Sequence, residues 1–151
     1  MKKLIIIIIL LGLLGCGPES NEEKKYDYSV VNNSGVIVEI IPYMDGNKRN
    51  DSKQVLQNNQ IFNRKFTDYA PYSGFSMGTL FIANTGSALT EIEITFNNSR
   101  KIIYKTCSEN FNCNSQSRSI FNLSFNDEET EVYTITPEDF QNAQDCGGNC
   151  N

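Results

Sequence analysis

The spacing of β-branched and aromatic residues is the feature that most limits the fold of this chain. From Tyr26 onward, short runs rich in Val, Ile, Tyr and Phe are separated by Asn, Gly, Ser and Asp at intervals of about eight to twelve residues. Residues 91–96 alternate strictly between polar and apolar types, which places Ile92, Ile94 and Phe96 on one buried face. The 151 residues suffice for one domain with one core. The sequence therefore predicts an all-β fold, an antiparallel β-sandwich of the immunoglobulin-like type.

Four polar turns lie between neighbouring apolar runs and predict β-hairpins, because Asn, Asp, Ser and Gly tolerate the backbone of tight turns. The compact apolar run 79–83 predicts one further strand. The predicted hairpin partners are residues 26–31 with 36–43, 54–56 with 61–66, 91–96 with 101–106, and 119–125 with 131–135.

One short helix is predicted near the C-terminal end. Thr136 is a suitable N-cap, Pro137 fits the first helical position, and Glu138 and Asp139 are acids in the first turn. Phe140 and Ala143 supply a small apolar face, and the two glycines at 147 and 148 are expected to stop the helix.

Residues 1–15 have the composition of a signal peptide. Met1 is followed by Lys2 and Lys3, and residues 4–14 are apolar, interrupted only by Gly12. Eleven helical residues span about 16 Å, roughly half of the hydrocarbon core of a bilayer, which is too short for a transmembrane helix. Removal of this segment would take away two lysines and change the net charge from −5 to −7.

The residues that end this segment, Leu13-Leu14-Gly15-Cys16, resemble the lipobox of bacterial lipoproteins. In that family an aliphatic residue at −3 and a small residue at −1 precede the cysteine. The resemblance implies cleavage after Gly15, a diacylglycerol joined to the Cys16 thiol, and acylation of the new amine. One acyl chain anchors a protein only marginally, whereas three hold it stably. The alternative is an ordinary secretory signal followed by a coincidental cysteine.

The region after Cys16 predicts a tether, a domain and a tail. Residues 16–25 are polar and read as a flexible tether, 26–145 as the β-sandwich domain, and 146–151 as a Cys/Gly-rich tail. Gly17 stands where the usual inner-membrane retention signal has Asp, and Glu22-Glu23 resembles the acidic export signal of Bacteroidetes surface lipoproteins. We therefore expect an outer-membrane protein, facing the periplasm or the cell exterior.

Both ends of the predicted domain resemble small uncharacterised lipoproteins of Bacteroidetes. Residues 133–143, Tyr-Thr-Ile-Thr-Pro-Glu-Asp-Phe-Gln-Asn-Ala, are similar to their YTIT-x-ED[YF]-x-x-A ending. Residues 28–34, Tyr-Ser-Val-Val-Asn-Asn-Ser, are similar to their Y-x-V-x-N-x-S opening. The resemblance implies a β-sandwich whose last strand leads into a short helix, and it implies no activity.

Four cysteines remain when Cys16 is set aside, and an even number in an exported domain predicts two disulfides. Local pairing of Cys107 with Cys113 and of Cys146 with Cys150 is favoured, and cross-pairing is the alternative. A zinc site is less favoured, because the spacings C-x5-C and C-x3-C depart from the C-x2-C pattern typical of such sites.

Composition excludes several classes of function. The chain has no histidine, so Ser-His-Asp and Cys-His catalysis and His-ligated metals are excluded. A net charge of −5 argues against nucleic acid as a partner. The densest acid cluster, Asp127 to Glu129 with Glu131, reads as a solvated turn. We predict no cofactor and no metal.

Residues 66–78 form the stretch most suited to binding. Four aromatic residues lie there together with one proline and two glycines, and exposed rings of this kind contact protein or sugar partners. Tyr69, Tyr72 and Phe75 are the predicted partner-binding residues; the alternative is that these rings cover an open edge of the sandwich. The sequence thus favours a non-catalytic interaction or structural module that binds the membrane through its anchor and a protein or glycan through this loop. The alternative is a carboxylate enzyme, or its accessory, acting on envelope polysaccharide.

Overall fold

In the part of the chain that the structure describes, nine strands and one short α-helix form most of the regular structure. The computed structural model describes residues 22–82, 87–107, 116–125 and 128–150. The predicted signal peptide, Cys16, most of the tether and Cys113 lie outside the described residues. The elements are β1 (Glu23–Asn32), β2 (Val38–Met44), β3 (Asn47–Lys48), β4 (Gln54–Leu56), β5 (Ile61–Tyr69), β6 (Leu89–Phe96), β7 (Arg100–Lys105), β8 (Thr130–Ile135), α1 (Pro137–Asn142) and β9 (Gln144–Asp145).

The strands form two sheets. Sheet one has the order β5-β1-β8, and sheet two has the order β3-β2-β6-β7-β9, with β4 also paired to β2. In sheet one, β5 runs antiparallel to β1 from Glu23↔Tyr69 to Val31↔Ile61, whereas β8 runs parallel to it from Asp27↔Thr130 to Asn32↔Ile135. The predicted all-β sandwich with a short C-terminal helix is confirmed. Strand β1 begins at Glu23, three residues before the predicted start of the domain.

The core lies between the sheets and is filled by one hydrophobic cluster. Alternate residues of β1 point into it, because side chains along a strand alternate between its two faces. The cluster includes the nearly inaccessible side chains of Tyr26, Tyr28, Val30, Ile40, Met77, Leu80, Ile92, Ile94, Phe96, Ile120, Tyr133 and Ile135.

The predicted hairpin of 91–96 with 101–106 is confirmed, as β6 and β7. Three residues, 97–99, connect the two strands, and the Ser99 N–H is bonded to the Phe96 carbonyl. Asn97 and Asn98, the central residues of this turn, both have positive φ (49° and 54°), a conformation that asparagine tolerates. Ile92, Ile94 and Phe96 are buried, as the alternation predicts. The predicted helix and its N-cap are also confirmed: the Thr136 side chain caps the N–H of Asp139, and the Asp139 carboxylate accepts the N–H of Thr136. The predicted stop at the two glycines is wrong, because the helix ends at Asn142 and the chain then enters β9.

The first two predicted hairpins are wrong. Strand β1 belongs to sheet one and β2 to sheet two, and β4 and β5 are likewise divided between the sheets. The turns at 33–37 and 57–60 are therefore crossings from one sheet to the other. Asn-rich turns fit both roles, so the turn residues alone do not separate a hairpin from a crossing.

Asn32 explains why the chain crosses at these places. Its side chain is completely buried, and its amide nitrogen donates to the carbonyl oxygens of Val36 (2.8 Å) and Leu56 (2.9 Å). Its Oδ1 accepts the backbone N–H (3.0 Å) and the hydroxyl (2.7 Å) of Ser34. Its backbone carbonyl accepts the N–H of Asn59 at 2.6 Å. One residue thus holds both crossings and satisfies polar groups that would otherwise be buried without partners.

The strands predicted at 79–83 and 119–125 are also wrong. Met77–Phe81 is a 3-10 turn, and its buried residues Met77 and Leu80 are three positions apart, as that helix requires. Gly78 packs so closely that a Cβ there would lie 3.1 Å from atoms of Leu89 and Phe121. Residues 119–125 form turns, the last of which is a 3-10 turn at Leu123–Phe125.

We predict that Asn32→Ala lowers the free energy of unfolding by about 3 kcal/mol, because it leaves the carbonyl groups of Val36 and Leu56 without their donor. Urea denaturation measures this loss. Asn33→Ala is the matched control, because Asn33 is the exposed neighbour and should change stability by less than about 0.5 kcal/mol. Equal effects of the two substitutions would contradict the role assigned to Asn32.

Candidate functional site

The stretch predicted to bind a partner divides into strand and loop. Strand β5 continues to Tyr69, so only residues 70–76 form an open connection before the 3-10 turn. The peptide bond between Ala70 and Pro71 is cis, and Gly74 has a φ of 72°, a conformation that glycine adopts without strain. We call Tyr69, Ala70, Pro71 and Tyr72 the aromatic tip, because all four are exposed and two carry aromatic rings.

Asp68 holds the shape of this loop. Its carboxylate accepts the N–H groups of Tyr69 (2.9 Å), Ser73 (2.8 Å) and Gly74 (2.9 Å), and also the hydroxyl of Ser73 (3.3 Å). These donors, the Gly74 N–H foremost, lower the pKa of Asp68. The carboxylate therefore remains charged near neutral pH and keeps the loop in one conformation.

The three predicted binding residues have different environments. Tyr69 and Tyr72 are 54% and 44% exposed. Phe75, in contrast, packs against the core: its ring stacks on Phe66 at 4.9 Å and meets Tyr26 edge-on at 5.0 Å. The exposed aromatic surface of the loop therefore consists of two rings, with Phe75 fastening the loop to the sandwich.

The aromatic tip is joined to the point where the chain enters the domain. The carbonyl oxygen of Glu22 accepts both the Tyr72 hydroxyl (3.2 Å) and the Ala70 N–H (3.4 Å). The pKa of Tyr72 is raised, mainly because the hydroxyl is partly desolvated and to a smaller extent because the charge of Glu22 is nearby. The hydroxyl therefore stays protonated and donates this bond at neutral pH.

The acid cluster is different from the solvated turn predicted. Glu128 and Glu129 are exposed, but Glu131 is 8% exposed and faces inward with Tyr133 and Ile135, and its Oε1 has no hydrogen-bond partner in the part of the chain that the structure describes. Burial, followed by repulsion from Glu128, raises the pKa of Glu131. Asp127 lies outside the described residues. The described acids of this cluster belong to one turn and the strand that follows it, so they do not face each other across a cleft.

A second buried carboxylate has no counterpart in the sequence-based prediction. Alternation along β6 places Glu93 on the face opposite Ile92 and Ile94, yet Glu93 is also buried, with 1% of its surface exposed. It accepts the Tyr43 hydroxyl (3.0 Å) and pairs with Lys48 (2.7 Å) and Lys101 (3.7 Å). Burial, followed by the hydrogen bond to Glu93, raises the pKa of Tyr43 to about 12. Because three donors surround this carboxylate, its evident role is to hold β2, β3, β6 and β7 together.

A polar network around Arg118 was also not predicted from the sequence. The Arg118 guanidinium binds both oxygens of Asp139 (3.0 and 2.5 Å) and the carbonyl of Thr134 (2.7 Å). The Tyr133 hydroxyl donates to the Arg118 carbonyl (2.7 Å), and burial raises the pKa of Tyr133. These bonds connect the segment before β8 to the start of α1. Arg118 belongs to no recognisable sequence motif, and its partners are 16 and 21 positions away, so they become apparent only in the folded structure.

The cysteines follow the predicted local pairing where it is described. Cys146 and Cys150 form a disulfide with their Cα atoms 5.1 Å apart. This excludes cross-pairing with Cys107 and uses two of the four thiolates that a zinc site would need. Cys107 is also disulfide-bonded. Its pairing with Cys113 stays a prediction, because Cys113 lies outside the described residues.

No family model matches this chain, and no match was found among curated proteins or solved structures. None of the described helices is long and apolar enough to cross a membrane. Within the described ranges, no three His, Cys, Asp or Glu side chains come together in an arrangement able to hold a metal ion.

We predict that Asp68→Ala loosens the aromatic tip without unfolding the domain. The amides of Ser73 and Gly74 lose their acceptor, so their hydrogen exchange should become at least about tenfold faster, while core amides of β1 stay protected. Asp51→Ala is the control, because Asp51 is an exposed carboxylate paired with Arg49 in another loop. Unchanged exchange at residues 73 and 74 would contradict the role assigned to Asp68.

We predict that Glu131→Gln stabilises the domain in a pH-dependent way. A raised pKa means that the folded state binds this proton more tightly than the unfolded state, so the buried charge costs stability as the pH rises above the ordinary value of 4.5. Urea denaturation should show a gain of about 1 kcal/mol at pH 7 and none at about pH 4. Glu129→Gln, at an exposed position, should leave the free energy of unfolding unchanged at both pH values. A gain that is equal at both pH values would contradict this account.

Proposed function

We propose that this chain is a lipid-anchored, non-catalytic interaction module of the bacterial outer membrane, exposed to the periplasm or to the cell exterior. The anchor is Cys16, acylated after removal of residues 1–15. The contact site is the aromatic tip, which binds a component of the envelope. The observation that carries the proposal is the presence of two exposed tyrosines on a loop that Asp68 holds in a fixed shape.

The preorganised loop supports binding. Exposed aromatic rings contribute much contact area for little loss of side-chain freedom, and tyrosine is enriched among residues that dominate binding energy. A loop whose amides are already bonded to Asp68 loses little further entropy when it meets a partner. Phe75 adds rigidity, since its ring is packed between Phe66 and Tyr26.

The charges of the domain support a neutral or weakly polar partner. Three acids of sheet two are paired with lysines: Lys53 pairs with Glu39 (3.0 Å), Lys105 with Glu91 (3.2 Å), and Lys48 and Lys101 with Glu93. Such pairing leaves no uniform basic face of the kind that phosphate-rich partners require. The aromatic tip itself has no charged side chain.

Fractionation of cells that express the full chain tests the anchor. We predict that Cys16→Ser moves most of the protein from the membrane fraction to the soluble fraction, because no thioether forms and the acyl chains are lost. Ser20→Ala, in the same tether, is the control and should leave the distribution unchanged. An unchanged membrane fraction for Cys16→Ser would overturn the anchor.

The same cells test the contact site. A photoreactive phenylalanine placed at position 69 should cross-link to an envelope component, and the same group at position 61 should not. Ile61 is the matched control, because it lies on the same face of β5 and is 58% exposed, against 54% for Tyr69. Equal cross-linking at the two positions, or none at position 69, would overturn the assignment of the aromatic tip.

A further inference from the structure

We infer that the aromatic tip is seated in the headgroup region of the same bilayer that holds the anchor, so that the lipid surface is the partner of this site. The inference rests on the proposed anchoring of Cys16 and names the component that the tip contacts. Three observations carry it: the position of the tip, the chemistry of its side chains and the hydrogen bonding of its backbone.

The first observation is position. Glu22 is bonded to Ala70 and Tyr72, so the aromatic tip is fixed to the entry point of the chain. Six residue steps separate Cys16 from Glu22, and even a fully extended chain of that length spans no more than about 21 Å. A lipidated Cys16 therefore keeps Glu22 within about 21 Å of the bilayer surface, and the tip atoms bonded to Glu22 lie only about 3 Å beyond it. The opposite end of β5, at Ile61, lies about 27 Å further along the strand.

The second observation is the chemistry of the exposed side chains. Tyrosine is enriched where membrane meets water, because its ring prefers the apolar side and its hydroxyl the headgroups. The aromatic tip presents two such rings with alanine and proline between them. The charge within the loop, Asp68, is turned inward, where it is bonded to N–H groups of the chain. The Glu22 carboxylate near Tyr72 is exposed, which limits the tip to the headgroup region and keeps it out of the hydrocarbon core.

The third observation is that the backbone of the tip needs little water. A segment can approach the apolar part of a bilayer only if its N–H groups already have partners, because unpaired groups are costly there. Pro71 has no N–H group. Within the tip, the N–H group of Tyr69 is bonded to Asp68 and that of Ala70 to Glu22, and just after it those of Ser73 and Gly74 are bonded to Asp68. Only the Tyr72 N–H has no partner among the described residues, and in the headgroup region it can bond to water or to a headgroup.

Local charge indicates how this contact should respond to salt. The segment that enters the domain contains Glu22, Glu23, Lys24 and Lys25, so its charges cancel. The main driving force of the contact is therefore burial of the tyrosine rings and not attraction to anionic headgroups. Unlike a contact made by basic side chains, this one should persist at high salt.

A single-tryptophan reporter tests the inference, since the chain has no tryptophan of its own. The full lipidated chain with Tyr69→Trp is reconstituted into vesicles of phosphatidylethanolamine and phosphatidylglycerol, with and without brominated acyl chains that quench nearby tryptophan. Tyr69→Trp leaves the bond between Tyr72 and Glu22 in place. The matched control is Ile61→Trp, at the far end of the same face of β5.

If the inference is correct, brominated lipid removes roughly half or more of the Tyr69→Trp emission, at low and high salt alike, and leaves the Ile61→Trp emission unchanged. Chains that float with the vesicles but show no quenching at position 69 would overturn the inference while leaving the anchor intact. Equal quenching at both positions would overturn the proposed orientation. Chains that do not float would overturn the anchor, and the inference with it.

Discussion

The buried amide of Asn32 is the interaction on which the two-sheet arrangement depends. A β-sandwich must carry its backbone across the core edge between sheets, where neither sheet offers hydrogen-bond partners. Here one side chain supplies two donor bonds to Val36 and Leu56 and accepts two from Ser34, so the outward and the returning crossing meet at a single residue. The inward side chains that precede it, Tyr28 and Val30, follow the same alternation, which makes Asn32 the polar end of a buried row.

This arrangement explains which parts of the fold the sequence could predict. Alternation, turn composition and helix capping act over a few residues, so the β6–β7 hairpin and the capped start of α1 were predicted correctly. The end of α1 was not, because pairing of β9 with β7 stops the helix at Asn142 before the glycines are reached. The turn at 33–37 is equally polar, but Asn32, which leads into it, is bonded to Leu56 and Asn59, more than twenty positions away. The segment 77–81 is apolar like a strand, yet Gly78 is packed against Leu89 and Phe121, and that contact is invisible along the chain. Long-range packing decided both cases.

The candidate site shows the same division between local and distant information. Its aromatic composition pointed to residues 66–78, but composition does not distinguish Tyr69 and Tyr72, which face solvent, from Phe75, which packs on Phe66. Asp68 had no distinguishing motif, although it fixes the loop. The buried charges of Glu93 and Glu131 were missed for a related reason: strand alternation predicts which face a residue occupies, and neighbouring strands decide how deeply that face is covered.

The position of β1 suits the proposed attachment of the domain through its N-terminal end. An N-terminal strand at the edge of a sheet frays easily, because only one neighbour holds it. Strand β1 instead lies in the centre of sheet one, paired with β5 along nine residues and with β8 along six, and its inward side chains lie in the core. Any force that reaches the domain through the proposed tether would therefore act on a strand that is paired on both sides. The aromatic tip lies at that same end, where two hydrogen bonds join it to Glu22.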